Sequence, residues 1–160
     1  MPQWVTLARW IHMLSGAAWF GEICLMAFVL VPRATALRGV ARKQFIATVF
    51  PGVFRMASYF VIATLASGLW LNYLLTGWRR LDAYLATRHG ALIAIGGTLG
   101  LIIAAVHFLV ANQIETRYLS AGLSPRAEAR LFRALRVIPW IGLFAITLSF
   151  ILMMITARGF

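Results

Sequence analysis

The chain has 160 residues, 62% of them hydrophobic, and a net charge of +11 from fifteen Lys and Arg against four Asp and Glu. A composition this apolar belongs to an integral membrane protein and excludes a disordered segment or an ordinary water-soluble globule. The lone cysteine, Cys24, excludes a disulfide framework and any C-x-x-C-H site for covalently attached haem.

The first apolar run covers residues 5–31, longer than the roughly 20 residues that cross about 30 Å of hydrocarbon. Ala34-Thr35-Ala36 resembles a signal-peptidase site, but the run is too long for a leader and only Arg9 lies ahead of it, so it is read as a retained helix. Within it His12, Ser15, Trp19, Glu22 and Met26 recur at steps of three and four, which puts them on one helix face. An ionisable side chain at membrane depth costs several kcal/mol unless it is paired or wetted, so this face is expected to look at protein.

Pro32 is expected to close that helix, and residues 37–50 to form an amphipathic surface helix with Leu37, Val40, Phe45 and Ile46 on its apolar side. Pro51-Gly52 then precedes a second span over 53–75, which carries Tyr59, Ser67, Gly68, Trp70, Asn72 and Tyr73 and ends at Thr76-Gly77. His89-Gly90 opens a third span over 91–113, with Gly96, Gly97, Gly100, Ala104 and His107 on one face. That bare face suits close helix packing, or a flat cofactor with His107 reaching it. Ser124-Pro125 has the form of an N-cap with proline at the first helical position. A basic amphipathic stretch over 125–136 is expected to run from it into a fourth span over 137–155, where Met153 and Met154 lie near the outer end. Short connections favour sequential antiparallel neighbours, hence a single-domain, all-α, up-down-up-down bundle.

The positive charge follows the membrane rather than nucleic acid. Arg33, Arg38, Arg42, Lys43 and Arg55 flank the first connection and Arg117, Arg126, Arg130, Arg133 and Arg136 the third, against Arg9, Arg79, Arg80, Arg88 and Arg158 on the other side. This ten-to-five bias predicts that the first and third loops lie in the cytoplasm and both termini outside (N-out, C-out), the basic face meeting anionic lipid. Trp4, Trp10, Trp78, Tyr84, Tyr118 and Trp140 fall near span ends, where amphipathic rings anchor at the headgroups.

At about 1.5 Å per residue, His12 lies roughly 9 Å outward of its helix midpoint, Glu22 about 6 Å inward and His107 about 7 to 8 Å inward of its own. Glu22 and His107 therefore share an inner layer with Cys24, Met26, Met56 and Tyr59. His12 shares an outer one with Met153, Met154, Asn72 and His89.

Arg9-Trp10-Ile11-His12, Ser15-Gly16 and Trp19-Phe20-Gly21 reproduce an R-W-x-H-x-x-S-G-x-x-W-F-G pattern that resembles the first helix of the CopD-like bacterial membrane proteins. The membrane domain of bacterial membrane urate oxidases is similar, and the HemJ-type protoporphyrinogen oxidases resemble it more loosely. The resemblance continues through Arg55, Ser67-Gly68-Leu69, His89-Gly90, Asn112 and the run from Leu131 to Leu152. It implies copper uptake or haem-linked redox chemistry, with His12 the first ligand candidate. Many relatives carry a lysine in the third helix where this chain has no ionisable residue around Ala94 to Leu101, a departure from the HemJ-type activity.

By residue chemistry, b-type haem would take His12 with Met153 or Met154, or His107 with Met56 or an open position, and Ser15, Gly16, Trp19, Gly97 and Gly100 would line its slot. Two haems on four histidines are excluded, since the chain has three. Cu(I) would read the same layers as an outer His/Met site and an inner His/Cys/Met site. Glu22, Tyr59 and Asn72 would orient an imidazole or relay protons. The expectation is a haem b-binding redox component that exchanges electrons with a quinone, a cytochrome or a larger membrane complex. A copper permease and a non-catalytic accessory subunit are the alternatives.

Overall fold

A computed structural model describes residues 2–121 and 124–158, which are helical with no strand among them. Four rods are long and apolar enough to cross a membrane. Helix α1 runs over Gln3–Leu25, passes through a π-helical turn at Met26–Leu30 and continues over Val31–Ala36. Helix α2 is Gly39–Thr76, α3 is the short Leu81–Leu85, α4 is Arg88–Asn112 prolonged by a π-helical segment Gln113–Ala121, and α5 is Pro125–Arg158. At about 1.5 Å per residue the rods reach roughly 44–57 Å, so they outrun the ~30 Å of hydrocarbon and build a helical collar at one end.

Two expected boundaries do not hold. Pro32 continues its helix because the preceding π turn, closed by Val31 N–H on the Met26 carbonyl, places it at the start of a new helical stretch, where its missing N–H is harmless. Pro51 lies inside α2, so the amphipathic stretch and the second span are one helix of 38 residues. Proline there removes the donor for the Ala47 carbonyl, and Ala47 is exposed where the collar leaves the hydrocarbon and water can replace it.

Other ends follow local chemistry. Gly77, at φ +58°, caps α2 by donating to the Tyr73 carbonyl at 2.7 Å, a left-handed position that suits glycine. Gly39, at φ +55°, turns the chain from α1 into α2. The α4 cap is Thr87, whose hydroxyl accepts from Gly90 N–H at 3.0 Å, two residues before the expected His89-Gly90 start. Ser124 caps α5 as expected, its hydroxyl accepting from Ala127 N–H at 3.4 Å.

Helix α1 packs most closely on α2 and α4 on α5, while α2 also meets α4 and α1 meets α5. Going round the bundle the order is α1, α2, α4, α5, which sets α1 and α4 on its diagonal. A cluster around Trp19, Val61, Ile103 and Ile146 fills the middle of the bundle, and a second around Phe50, Phe54, Ile114, Tyr118, Phe132 and Leu135 fills the collar. Arg42 stacks over the Phe132 ring at 4.6 Å there. Large apolar side chains such as Leu14, Leu69, Leu101 and Phe144 face outward, whereas Ser15, Glu22, Thr64, Ser67 and His107 are buried. This is the polarity of a protein in lipid.

The α4 start leaves no room at Gly90, whose added Cβ would meet the Tyr84 carbonyl; Gly97 faces open space. Gly90→Ala should therefore cost about 1–3 kcal/mol. Its unfolding midpoint in detergent should fall clearly below that of Gly97→Ala, which should match the parent.

Candidate functional site

The buried polar groups divide into a seam between α1 and α2 and a central cavity. In the seam, His12 Nδ1 lies 2.9 Å from the Thr64 carbonyl, which also accepts from Ser67 Oγ at 3.2 Å. A carbonyl can only accept, so the imidazole proton sits on Nδ1 and Nε2 keeps its lone pair. Thr64 Oγ1 donates to Ser15 Oγ at 2.9 Å, and Ser15 donates to the Ile11 carbonyl at 2.6 Å. Gly68 admits the ring: a Cβ there would lie 2.9 Å from His12 Cε1. The expected stripe is real through this region, but its partners are backbone and hydroxyl groups of α2.

The cavity has a volume of about 260 Å³ and lies on the bundle diagonal. Trp19 and Glu22 reach it from α1, Phe54 from α2, His107 and Ile103 from α4, and Leu135, Pro139 and Gly142 from α5. Ile102 and Ile141, which also line it, are exposed, so it opens sideways to lipid between α4 and α5. Space is available because Gly142 lacks a side chain and Pro139 interrupts the α5 ladder, removing the helical donor for the Leu135 carbonyl.

Three polar groups meet this cavity. Glu22 is 5% exposed and has no hydrogen-bond or ion-pair partner among the described residues. The Trp19 indole N–H is fully buried, in a residue 2% exposed, and also has no partner. His107 Nε2 lies 3.1 Å from Ser58 Oγ, whose proton goes to the Phe54 carbonyl at 2.8 Å. Nε2 therefore donates to Ser58, leaving Nδ1 as the lone-pair nitrogen. Phe54 and Phe108 hold the ring edge-on at 5.8 and 5.2 Å between centroids. A carboxyl and an imidazole lining one apolar cavity, beside a tryptophan whose buried N–H has no partner, are what a bound molecule with a polar head would suit.

The other expected residues are dispersed. Tyr59 is 67% and Met154 54% exposed, both turned outward, because one step along a helix rotates a side chain by about 100°. Neither belongs to a buried layer. Met153 is in contact with Gly96, where an added Cβ would lie 2.8 Å from its terminal methyl, and Ser149 Oγ donates to the Gly96 carbonyl at 3.1 Å. Gly16 faces Phe150 and Thr64, Gly100 faces Leu65, and Gly97 faces open space. Asn72 stands beside Tyr84 at the outer end, and its hydrogen bond opposes the burial that raises the Tyr84 phenol above its ordinary range.

Most of the small-residue faces that would form a haem slot are filled by the protein's own side chains, His12 on Gly68, Phe150 on Gly16, Met153 on Gly96 and Leu65 on Gly100, while Gly97 faces open space. His12 has the tautomer of a metal ligand, Nδ1–H on a backbone carbonyl, but its ring is packed into the seam. No group of three His, Cys, Asp or Glu side chains among the described residues could hold a metal ion. Compared with known families, curated proteins and solved structures, the chain finds no match.

The sequence reading missed Ser58, Thr64 and Pro139. Phe54, Ala57, Val61, Thr64 and Ser67 are buried at steps of three and four along α2, so a hydroxyl-bearing stripe was present to be found.

Gly68→Ala should displace the His12 ring and cost about 1–3 kcal/mol. In a double-mutant cycle followed by thermal unfolding, the same substitution in a His12→Ala background should cost much less, because the clash and the hydrogen bond are already gone.

Proposed function

We propose that the chain is a CopD-like redox component of a bacterial cytoplasmic membrane that takes a quinone headgroup from the bilayer into the α4–α5 cleft. The observation that carries this reading is the buried Glu22, which lines with Trp19 and His107 an apolar cavity that opens to lipid. A quinone offers carbonyl acceptors and a quinol offers hydroxyl donors on one flat ring, and both reach such a cleft through hydrocarbon. The volume of about 260 Å³ suits a single substituted ring, at the small end of ligand pockets. Reduction of the ring to a quinol takes two electrons, supplied in this proposal by a partner cytochrome, and two protons, delivered to its oxygens by way of Glu22 and His107. The filled glycine faces weigh against haem held within this chain, so haem belongs to the partner in this reading.

A short-chain benzoquinone added to detergent-purified protein should quench part of the tryptophan fluorescence saturably, and Trp19→Phe should lose that part. Glu22→Gln should weaken binding of the corresponding short-chain quinol about tenfold, as expected for loss of the hydrogen bond its hydroxyl donates to the carboxylate, and Ala145→Phe, which fills the cavity, should abolish binding of quinone and quinol alike. Linear, non-saturable quenching would reject the quinone. A Soret band that disappears in His12→Ala would return the haem to this chain.

The reading also carries the charge-derived topology, with both termini periplasmic. In a Cys24→Ser background, Asp82→Cys should react with a membrane-impermeant maleimide on cells with a permeabilised outer membrane, and Arg133→Cys should react only after lysis.

A further inference from the structure

A second hollow, of about 400 Å³, lies between α4 and α5 below the central cavity. Leu109 and Gln113 form one wall, and Arg130, Leu131, Ala134 and Ile138 form the other. The small side chain of Ala134 opens the hollow between the larger ones. Its polarity is graded: Arg130 and Ile138, at opposite ends of the α5 wall, are about 12 Å apart along the helix. Arg130 and Gln113 are at the collar end, while Leu109 is exposed and Ile138 half-buried at the hydrocarbon end. Val110 and Ile138 line both hollows, so the groove lies next to the central cavity.

We propose that this groove holds one acidic phospholipid, its phosphate paired with Arg130 beside Gln113 and one acyl chain lying over Leu109 and Ile138. Charge complementarity selects the occupant. No acidic side chain lines the groove, and Arg126, Arg133 and Arg136 stand exposed on the same helix. The nearby acid Glu128 is not among the lining residues; it acts on Tyr118, whose phenol is raised above its ordinary range by burial and then by the Glu128 charge, with Arg42 opposing. A guanidinium at headgroup depth over an apolar trough fits a phosphodiester with a long tail; free phosphate would leave the trough wetted, and a neutral lipid would leave Arg130 unmatched. The site is independent of what fills the central cavity.

The test uses the full-length protein in detergent, with phosphatidylglycerol and phosphatidylcholine of identical chains titrated by native mass spectrometry and by thermal unfolding. The glycerol lipid should bind about fivefold more tightly or better, the effect of one arginine at a membrane surface, and should raise the unfolding midpoint. Arg130→Gln should bring its affinity down to that of the choline lipid. Ala134→Trp keeps every charge but fills the trough, and should do the same, which keeps the test sound if Arg130→Gln does not fold. Equal binding of the two lipids, an unaffected Ala134→Trp, or an Arg133→Gln variant as impaired as Arg130→Gln would overturn the site in favour of diffuse attraction to the collar.

Discussion

Hydrocarbon is as apolar as any protein core, so in this chain burial of leucine and isoleucine decides little, while an unmatched polar group decides much. The arrangement of the rods follows from where Ser15, Thr64, Ser67, His12, His107 and Glu22 can find partners. The α1–α2 seam meets that demand fully. The Thr64 carbonyl accepts from an imidazole and a hydroxyl, Thr64 and Ser15 hydroxyls bond each other, and Gly68 gives way to the ring. That closure accounts for α1 and α2 being the tightest pair and for His12 acting first as a structural residue.

The cavity is the place where the same demand is left open. It is made by departures from regular helix on the α5 side, Pro139 and Gly142, against two diagonal helices that each carry a buried ionisable group. Both of those helices, α1 and α4, pass into π-helical turns on the collar side of that group. A π turn adds a residue to one turn and re-phases the face that follows, so Met26, Ala27, Leu30, Val31 and Ala34 can all be buried after Glu22. Rods with regular pitch would turn some of these outward.

The two hollows between α4 and α5 differ in chemistry and in what they ask of a ligand. The central one is lined by Glu22, Trp19 and His107 within apolar walls; the collar one is lined by Arg130 and Gln113 beside an apolar trough. Their adjacency along one helix pair gives this side of the bundle a graded polarity from collar to middle, while the α1–α2 side is sealed by hydrogen bonds.

By itself the sequence determined the four spans, the helix stop at Gly77 and the helix start at Ser124, the inward stripe of α1 and the common depth of Glu22 and His107, because length, hydropathy, capping and a rise of about 1.5 Å per residue are local properties. Only the tertiary structure decided that Pro32 and Pro51 stay within helices, that Ser58 and the Thr64 carbonyl engage the two histidines, and that Tyr59 and Met154 face outward. It also decided that glycines open to a flat ligand on a helical wheel are filled by Phe150, Met153 and His12. Periodicity gives each helix a face. The rotation of one helix against another, and the π turns that reset it, arise from contacts between residues far apart in the chain.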